Sequence, residues 1–303
     1  MWLFRKSLDL SRAAPRPVVA DDITAVSRLL RDGGRRYYGL TGSELPALLA
    51  DGRGVALLSG GELWGAAIVG WPAHNTCWLR AVALAEGVEP RPALELLIPA
   101  LHQTLANRGI SYVYFAGDET TDGWLAPLLR AAGYQSDTDV IVYEKQDLDI
   151  PDEGNPEVRI RPVESADLAA VLRIDEACFE PQWQKDDTIL APAIEQGPYF
   201  VLAELAGNPV GYAYATSHFG GRLVHLVRIA VDPRSRGQRV GVRLLADLVA
   251  FAEESGALSL TLNTQAYNTN AQRLYRWFGF AATGERQTVL RCSIRGDAIA
   301  TKN

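Results

Sequence analysis

The chain has 303 residues, 48% of them hydrophobic and 22% charged, with a formal net charge of −6. That is a globular balance, long enough for two domains of ordinary size, and its acidity argues against a protein that coats nucleic acid. Cys77, Cys178 and Cys292 lie far apart with no CxxC spacing, so no zinc site and no disulfide framework are expected.

The opening Met1-Trp-Leu-Phe-Arg-Lys lacks the apolar core of a secretory signal. No stretch approaches the ~18 uninterrupted apolar residues of a membrane span. The expectation is a cytoplasmic protein that engages neither membrane nor nucleic acid. Composition says nothing of its oligomeric state.

After an N-terminal extension (residues 1–15) the chain starts a pattern that it later repeats. Arg16-Pro-Val-Val-Ala-Asp-Asp-Ile-Thr-Ala-Val26 recurs as Arg161-Pro-Val-Glu-Ser-Ala-Asp-Leu-Ala-Ala-Val171, which sets Asp22 on Asp167. Near the end of each half, Leu128 to Gly133-Tyr134 resembles Leu274 to Gly279-Phe280. Two matches at nearly one spacing imply two copies of one fold. The first copy is expected over residues 16–146 and the second over 158–296, with a tail at 297–303. Between them Asp147 to Glu157, acidic and broken by two prolines and a glycine, reads as a linker.

In the second copy the pattern predicts a short strand at Val158 to Pro162 and a helix from Asp167 to Cys178. A second helix follows around Asp187 to Gln196. Strands Tyr199 to Leu205 and Val210 to Thr216 are joined by a Gly207-Asn208 turn. Next come a strand at Leu223 to Val231 and an amphipathic helix at Gly241 to Ser255, with Leu244, Leu245, Leu248, Val249 and Ala252 on one face. A strand (Leu258 to Leu262), a helix (Asn270 to Trp277) and a final hairpin to about Ile294 complete it. The fold class expected is α/β, a mixed α+β sheet with helices on both faces, in two tandem copies.

The junction from Ile229 to Leu245 carries chemistry. A strand ends at Val231, Asp232-Pro233 turns, and a loop with Arg234, Arg236, Gly237 and Arg239 opens the long helix. Backbone N–H groups at a helix N-terminus form an anion site, and nearby arginines add charge-assisted donors. A phosphate or pyrophosphate suits this place; an ordinary basic turn is the bland reading.

A second constellation, Asn268-Thr-Asn-Ala-Gln-Arg-Leu-Tyr-Arg-Trp-Phe-Gly-Phe280, follows the next strand. It resembles the GNAT superfamily pattern Asn-x-x-Ala-x-x-Leu-Tyr-x-x-x-Gly-Phe, matched by Asn268, Ala271, Leu274, Tyr275, Gly279 and Phe280. The earlier loop is similar to that family's coenzyme A loop, with Arg236 first and Gly241 last. Arg239 stands where a glycine is usual, a departure that matters if the position needs positive φ.

The resemblance implies an N-acetyltransferase that uses acetyl-CoA as co-substrate. It implies that backbone amides of Arg236, Gly237, Gln238, Arg239, Val240 and Gly241 hold the pyrophosphate. Ile229, Ala230 and Val231 would pair with the pantetheine arm, Asn268 would bond it, and Tyr275 would protonate the departing thiolate. His225, on the strand before the coenzyme-pairing segment, titrates near neutral pH and is the candidate base; alternation puts it on one face with Val227 and Ile229. His218 and Glu204 are weaker candidates, and water is the alternative route. Phe179, Trp183 and Tyr199 either contact an acceptor amine or pack.

In the first copy the corresponding loop is Val88-Glu-Pro-Arg-Pro-Ala93, where Pro90 and Pro92 lack N–H donors. Leu129 falls at the place of Tyr275 and Asp122 at that of Asn268. The aromatics Trp64, Trp71, Trp78, Tyr112, Tyr114 and Trp124 are expected mostly as core. A tandem with one degenerate half resembles the mycothiol synthase group, and the second half alone resembles acetyltransferases of protein N-terminal amines. The acceptor is therefore expected to be a primary amine on a small molecule or a peptide. The competing class is a non-catalytic acyl-CoA-binding or regulatory tandem module.

Overall fold

The computed structural model describes residues 10–40, 43–117, 121 and 123–294. Two compact units emerge: the chain up to Asp137 together with residues from Thr288 onward, and Thr138–Gln287. In chain order the first repeat supplies β1 (Ala14–Pro17), α1 (Ile23–Asp32), β2 (Arg35–Tyr38), α2 (Leu45–Ala50), β3 (Gly54–Ser59) and β4 (Glu62–Ala73). It continues with β5 (Thr76–Leu84), α3 (Pro90–Ala106), β6 (Tyr112–Ala116), α4 (Leu125–Ala131) and β7 (Gln135–Lys145). The second repeat supplies β8 (Arg159–Pro162), α5 (Leu168–Cys178), α6 (Asp187–Gln196), β9 (Tyr199–Leu205), β10 (Asn208–His218) and β11 (Leu223–Val231). It ends with α7 (Val240–Glu254), β12 (Ser259–Gln265), α8 (Thr269–Trp277) and β13 (Ala281–Ser293). No described helix is long and apolar enough to cross a membrane.

In the second unit β8, β9, β10 and β11 pair antiparallel in sequence, and β12 runs parallel to β11. Beside β12 lies the Val140 to Lys145 part of β7, the end of the first repeat. The first unit has the mirror arrangement: β6, parallel to β5, is flanked by Val289 to Ser293 of β13. Each unit is thus completed by the last strand of the other repeat. The segment 147–157 lies wholly in the second unit. Its Leu148 and Ile150 pack against that unit's core, and Gly154, at φ 80, comes so near α7 that a Cβ would sit 2.4 Å from the Arg243 nitrogen.

The mixed sheets with helices on both faces follow the expectation. In the second unit α7 buries Leu244, Leu245, Leu248 and Val249 against Leu260 and Phe278, an apolar stripe at helical spacing. On the opposite face α5 and α6 bury Ile174 and Leu190 against Leu202 and Tyr212. The repeat has a physical cause as well as a pattern. Arg16 grips Asp22 through two 2.7 Å bonds, and Arg161 grips Asp167 at 2.7 and 2.8 Å. Each aspartate also accepts the backbone N–H three residues earlier, from Val19 and Glu164. Both later matches close a helix alike: Gly133 and Gly279 are left-handed at φ 95 and 91, and Tyr134 and Phe280 donate to Leu129 and Tyr275 at 3.0 Å.

Two local expectations change. The final hairpin is one strand, β13, because Gly284 at φ 92 makes an irregularity inside it instead of a reversal. The β9–β10 turn uses Ala206-Gly207, both with positive φ, so that Leu205 pairs with Asn208.

Candidate active site

Strands β11 and β12 hold register from Leu223↔Ser259 to Leu226↔Leu262 and then part. Neither strand ends there. β11 stays paired with β10 to Val231, and β12 with β7 to Gln265. The result is a cleft along Ile229 to Val231, an edge of β11 that β12 no longer pairs; there the Val231 carbonyl accepts from Cys178 Sγ at 3.2 Å. The cleft is sharpened by a bulge, since Leu226 faces Ala215 and Arg228 faces Tyr214, leaving Val227 extra.

The bulge corrects the alternation argument for His225. Ile229 packs with Val224 and Leu226 under α7, whereas Val227 and Ala230 pack with Tyr212 and Tyr214 under α5 and α6. An extra residue reverses strand parity, so His225 does not share a face with Ile229. His225 lies level with Thr216 and Thr261 across the sheet, and its Nδ1 meets Thr261 Oγ1 at 2.9 Å. Burial, aided by nearby His218, pushes its pKa below the usual imidazole range. His218 itself meets Thr216 Oγ1 at 2.9 Å.

The loop after β11 is built to turn. Asp232 Oδ1 accepts from the Arg234 backbone and side chain, and these bonds hold the carboxyl down to about 2. Gly237 is left-handed at φ 79, and Arg239, the residue before α7, is left-handed at φ 59 and ψ 20. The position where the family pattern has glycine therefore does need positive φ. By helix geometry the first-turn N–H groups of Val240, Gly241 and Val242 have no intrahelical carbonyl. They point out of the N-terminus of a 15-residue helix beside Arg236 and Arg239. Acidic residues of the preceding segment meet this end: Asp152 pairs with Arg239, and Glu153 Oε2 lies 3.1 Å from Arg243.

On the far side of the cleft Asn268 caps α8 through Oδ1, which accepts the Ala271 N–H at 3.3 Å. Tyr275 is buried between Tyr143 and Phe280, with ring centroids 6.2 and 6.1 Å away. Burial raises its phenol well above the ordinary range, so the group remains protonated at neutral pH.

Sequence reasoning missed a buried network beside the bulge. Arg228 Nε and Nη2 donate to the carboxylate of Asp175 at 2.8 and 2.9 Å, and Tyr212 also donates to it. The guanidinium lies 3.4 Å from the Phe179 ring centroid and donates to the Trp183 carbonyl. This pins the α5–α6 connection, where an acceptor is expected, to the strand at the cleft. Across the opening Tyr267 donates to Glu180 at 3.3 Å. Asp175, mid-helix on an apolar face, was the available signal. Other candidates fall elsewhere: the Tyr199 hydroxyl bonds Asp247 at 2.9 Å and its ring packs on Phe251, and Glu204 pairs with Arg161.

The first unit has the same scaffold and a filled cleft. β5 and β6 hold register from Thr76↔Tyr112 to Trp78↔Tyr114 and part, with a bulge at Arg80. Here β2 lies antiparallel on Ala81 to Leu84, the edge that its counterpart β11 leaves open. Tyr37 of β2 reaches across to donate to the Ala116 carbonyl at 3.1 Å and packs on Phe115. Pro90 and Pro92 occupy the first turn of α3. Leu129 is fully buried, and Asp122 lies outside the described residues. Of the aromatics, Trp78 and Tyr114 are core, Trp64 and Trp124 pack on it partly, Tyr112 is half-buried, and Trp71 is exposed.

A family model described as Acetyltransferase (GNAT) family matches residues 168–280. An uncharacterized N-acetyltransferase of Schizosaccharomyces pombe is 33% identical over 102 residues, 32% of this chain and 63% of that protein. The [ribosomal protein bS18]-alanine N-acetyltransferase of Escherichia coli K12 is 30% identical over 141 residues, 46% of this chain and 93% of the relative. A tandem GNAT protein from the clavulanic acid biosynthesis pathway shares the fold with a TM-score of 0.60 and 13% identity, over 94% of this chain and all of that one. This chain spans less than two thirds of the fission-yeast relative.

Proposed function

The chain belongs to the GNAT family of acetyltransferases, and we propose that it transfers the acetyl group of acetyl-CoA to a primary amine in its second unit. The observation that carries this is the parting of β11 from β12 at Leu226 while both strands run on. The open edge suits an extended amide-bearing arm, and the free amides at the start of α7 suit its pyrophosphate. The bound coenzyme supplies an activated thioester; the chain's own residues must orient it, free the amine of its proton and protonate the leaving sulfur.

Tyr275 is assigned the last role. Its buried phenol stays protonated and sits on the helix that follows β12. His225 is assigned as base. Its depressed pKa keeps the imidazole neutral and able to accept a proton near pH 7, and it lies on the α5–α6 side, where the Arg228–Asp175 pair holds Phe179 and Trp183. Asn268 spends Oδ1 on its helix cap, which leaves its amide nitrogen as the group for the coenzyme's arm. The acceptor is taken as a small-molecule or peptide amine; the Escherichia coli relative's name specifies an alanine of a ribosomal protein.

Coenzyme titration by calorimetry, followed by a thiol-release assay against a panel of amines, tests the reading. One coenzyme per chain and amine-dependent thiol release are expected. Binding without release for any amine would favour a non-catalytic acyl-CoA module.

A further inference from the structure

Each unit places one arginine at the bulge of its central strand, and the two differ in their partners. Arg228 in the second unit is satisfied by the buried carboxylate of Asp175. In the first unit the repeat register that sets Asp22 on Asp167 puts Leu30 at the place of Asp175. Arg80 is nevertheless only 6% exposed. Its Nε is sealed from solvent with no acceptor, and the nearest carboxylate oxygen, of Glu44, is 3.7 Å from Nη2, beyond a hydrogen bond. Burial outweighs Glu44 and lowers the guanidinium pKa. A buried guanidinium N–H left without an acceptor is costly, and such a cost is met where a ligand completes the site.

The surroundings have the form of a site. The Trp71 ring covers the guanidinium with its centroid 3.1 Å from Cζ. Trp71 is left-handed at φ 49, a strained backbone for an aromatic residue, and it is 36% exposed, so the cover faces solvent. A Cβ at Gly70 would come 3.1 Å from Arg80 Cγ, so the glycine lets the arginine lie flat. Glu44 keeps 30% of its side chain exposed. A phosphate here would meet repulsion from Glu44, and a simple amine would meet repulsion from Arg80.

We propose that Arg80 and Glu44 form a binding site in the first unit for a free α-amino acid. The ligand carboxylate is held by the Arg80 guanidinium, and its ammonium meets Glu44. This site is independent of the coenzyme cleft.

The test is thermal unfolding of the full chain with the free proteinogenic α-amino acids added one at a time. Acetate, methylamine and inorganic phosphate at matched ionic strength are the controls. At least one amino acid is expected to raise the midpoint, and the rise should grow with the logarithm of its concentration. It should vanish in Arg80→Met and in Glu44→Gln. No rise with any amino acid overturns the proposal, as does a rise that survives both substitutions. An equal rise with acetate or phosphate overturns the assignment to a zwitterion. Should Arg80→Met fail to fold, the half-exposed Glu44→Gln decides.

Discussion

A phenol donates a proton only while it holds one, and burial of Tyr275 guarantees that across the physiological range. Tyr275→Phe keeps the ring contacts with Tyr143 and Phe280 and removes only the donor. Coenzyme affinity should be unchanged, while turnover falls by ~10²–10⁴-fold; calorimetry and steady-state rates on one preparation check both. His225 works in the opposite direction, since it accepts a proton only when neutral. Its lowered pKa places the acid limb of the rate below the ordinary imidazole value of ~6.5. His225→Ala should lower kcat and flatten that limb, and a retained limb would assign the step to water. Arg239 carries a backbone demand. A left-handed non-glycine residue costs about 1–3 kcal/mol, and the exposed pair with Asp152 returns little of that. Arg239→Gly should therefore leave stability equal or higher, and coenzyme binding should persist, weakened at most by the loss of one exposed charge, because the backbone N–H remains. Arg239→Val, β-branched, should lose stability by about 1 kcal/mol or more in urea titrations.

At the scale of elements, the two clefts differ less in sequence motif than in what lies along one strand edge. Pro90 and Pro92 remove donors from the start of α3, and that much was legible. The stronger obstacle was not. Arg35 to Tyr38 looks like an unremarkable polar-aromatic stretch, and only the pairing register puts it on Ala81 to Leu84 as β2. The prolines and the strand can be separated by experiment. Pro90→Ala with Pro92→Ala restores two N–H groups and leaves β2 in place, so calorimetry should still find one coenzyme site per chain. A second site appearing in that double variant would show that the missing donors, and not β2, exclude coenzyme from the first unit.

Across the whole molecule, local chemistry was readable and long-range assembly was not. The Asn268 to Phe280 pattern marked a capped helix with a buried tyrosine because cap, apolar spacing and Gly279 lie within a few turns. The Arg228–Asp175 pair joins residues 53 apart, and the exchange of last strands joins the ends of both repeats; neither leaves a periodic trace. The same blindness covered His102, a solitary histidine on α3 with nothing in the sequence to single it out. It meets the Tyr134 hydroxyl at 3.1 Å, and burial holds its pKa down to about 4. Folded, it stays neutral; unfolded, it takes up a proton near pH ~6.5. Its contribution to stability is complete above that value and is lost as pH falls from there to about 4. The difference amounts to roughly 3 kcal/mol. Urea denaturation followed from pH 7 down to pH 4 should show this loss, with His225 adding a smaller one in the same direction. His102→Gln cannot be protonated, so its curve should fall less steeply over that window, whatever its stability at neutral pH. An unchanged slope would mean that His102 is protonated inside the fold, or that acid opening of the first unit begins elsewhere.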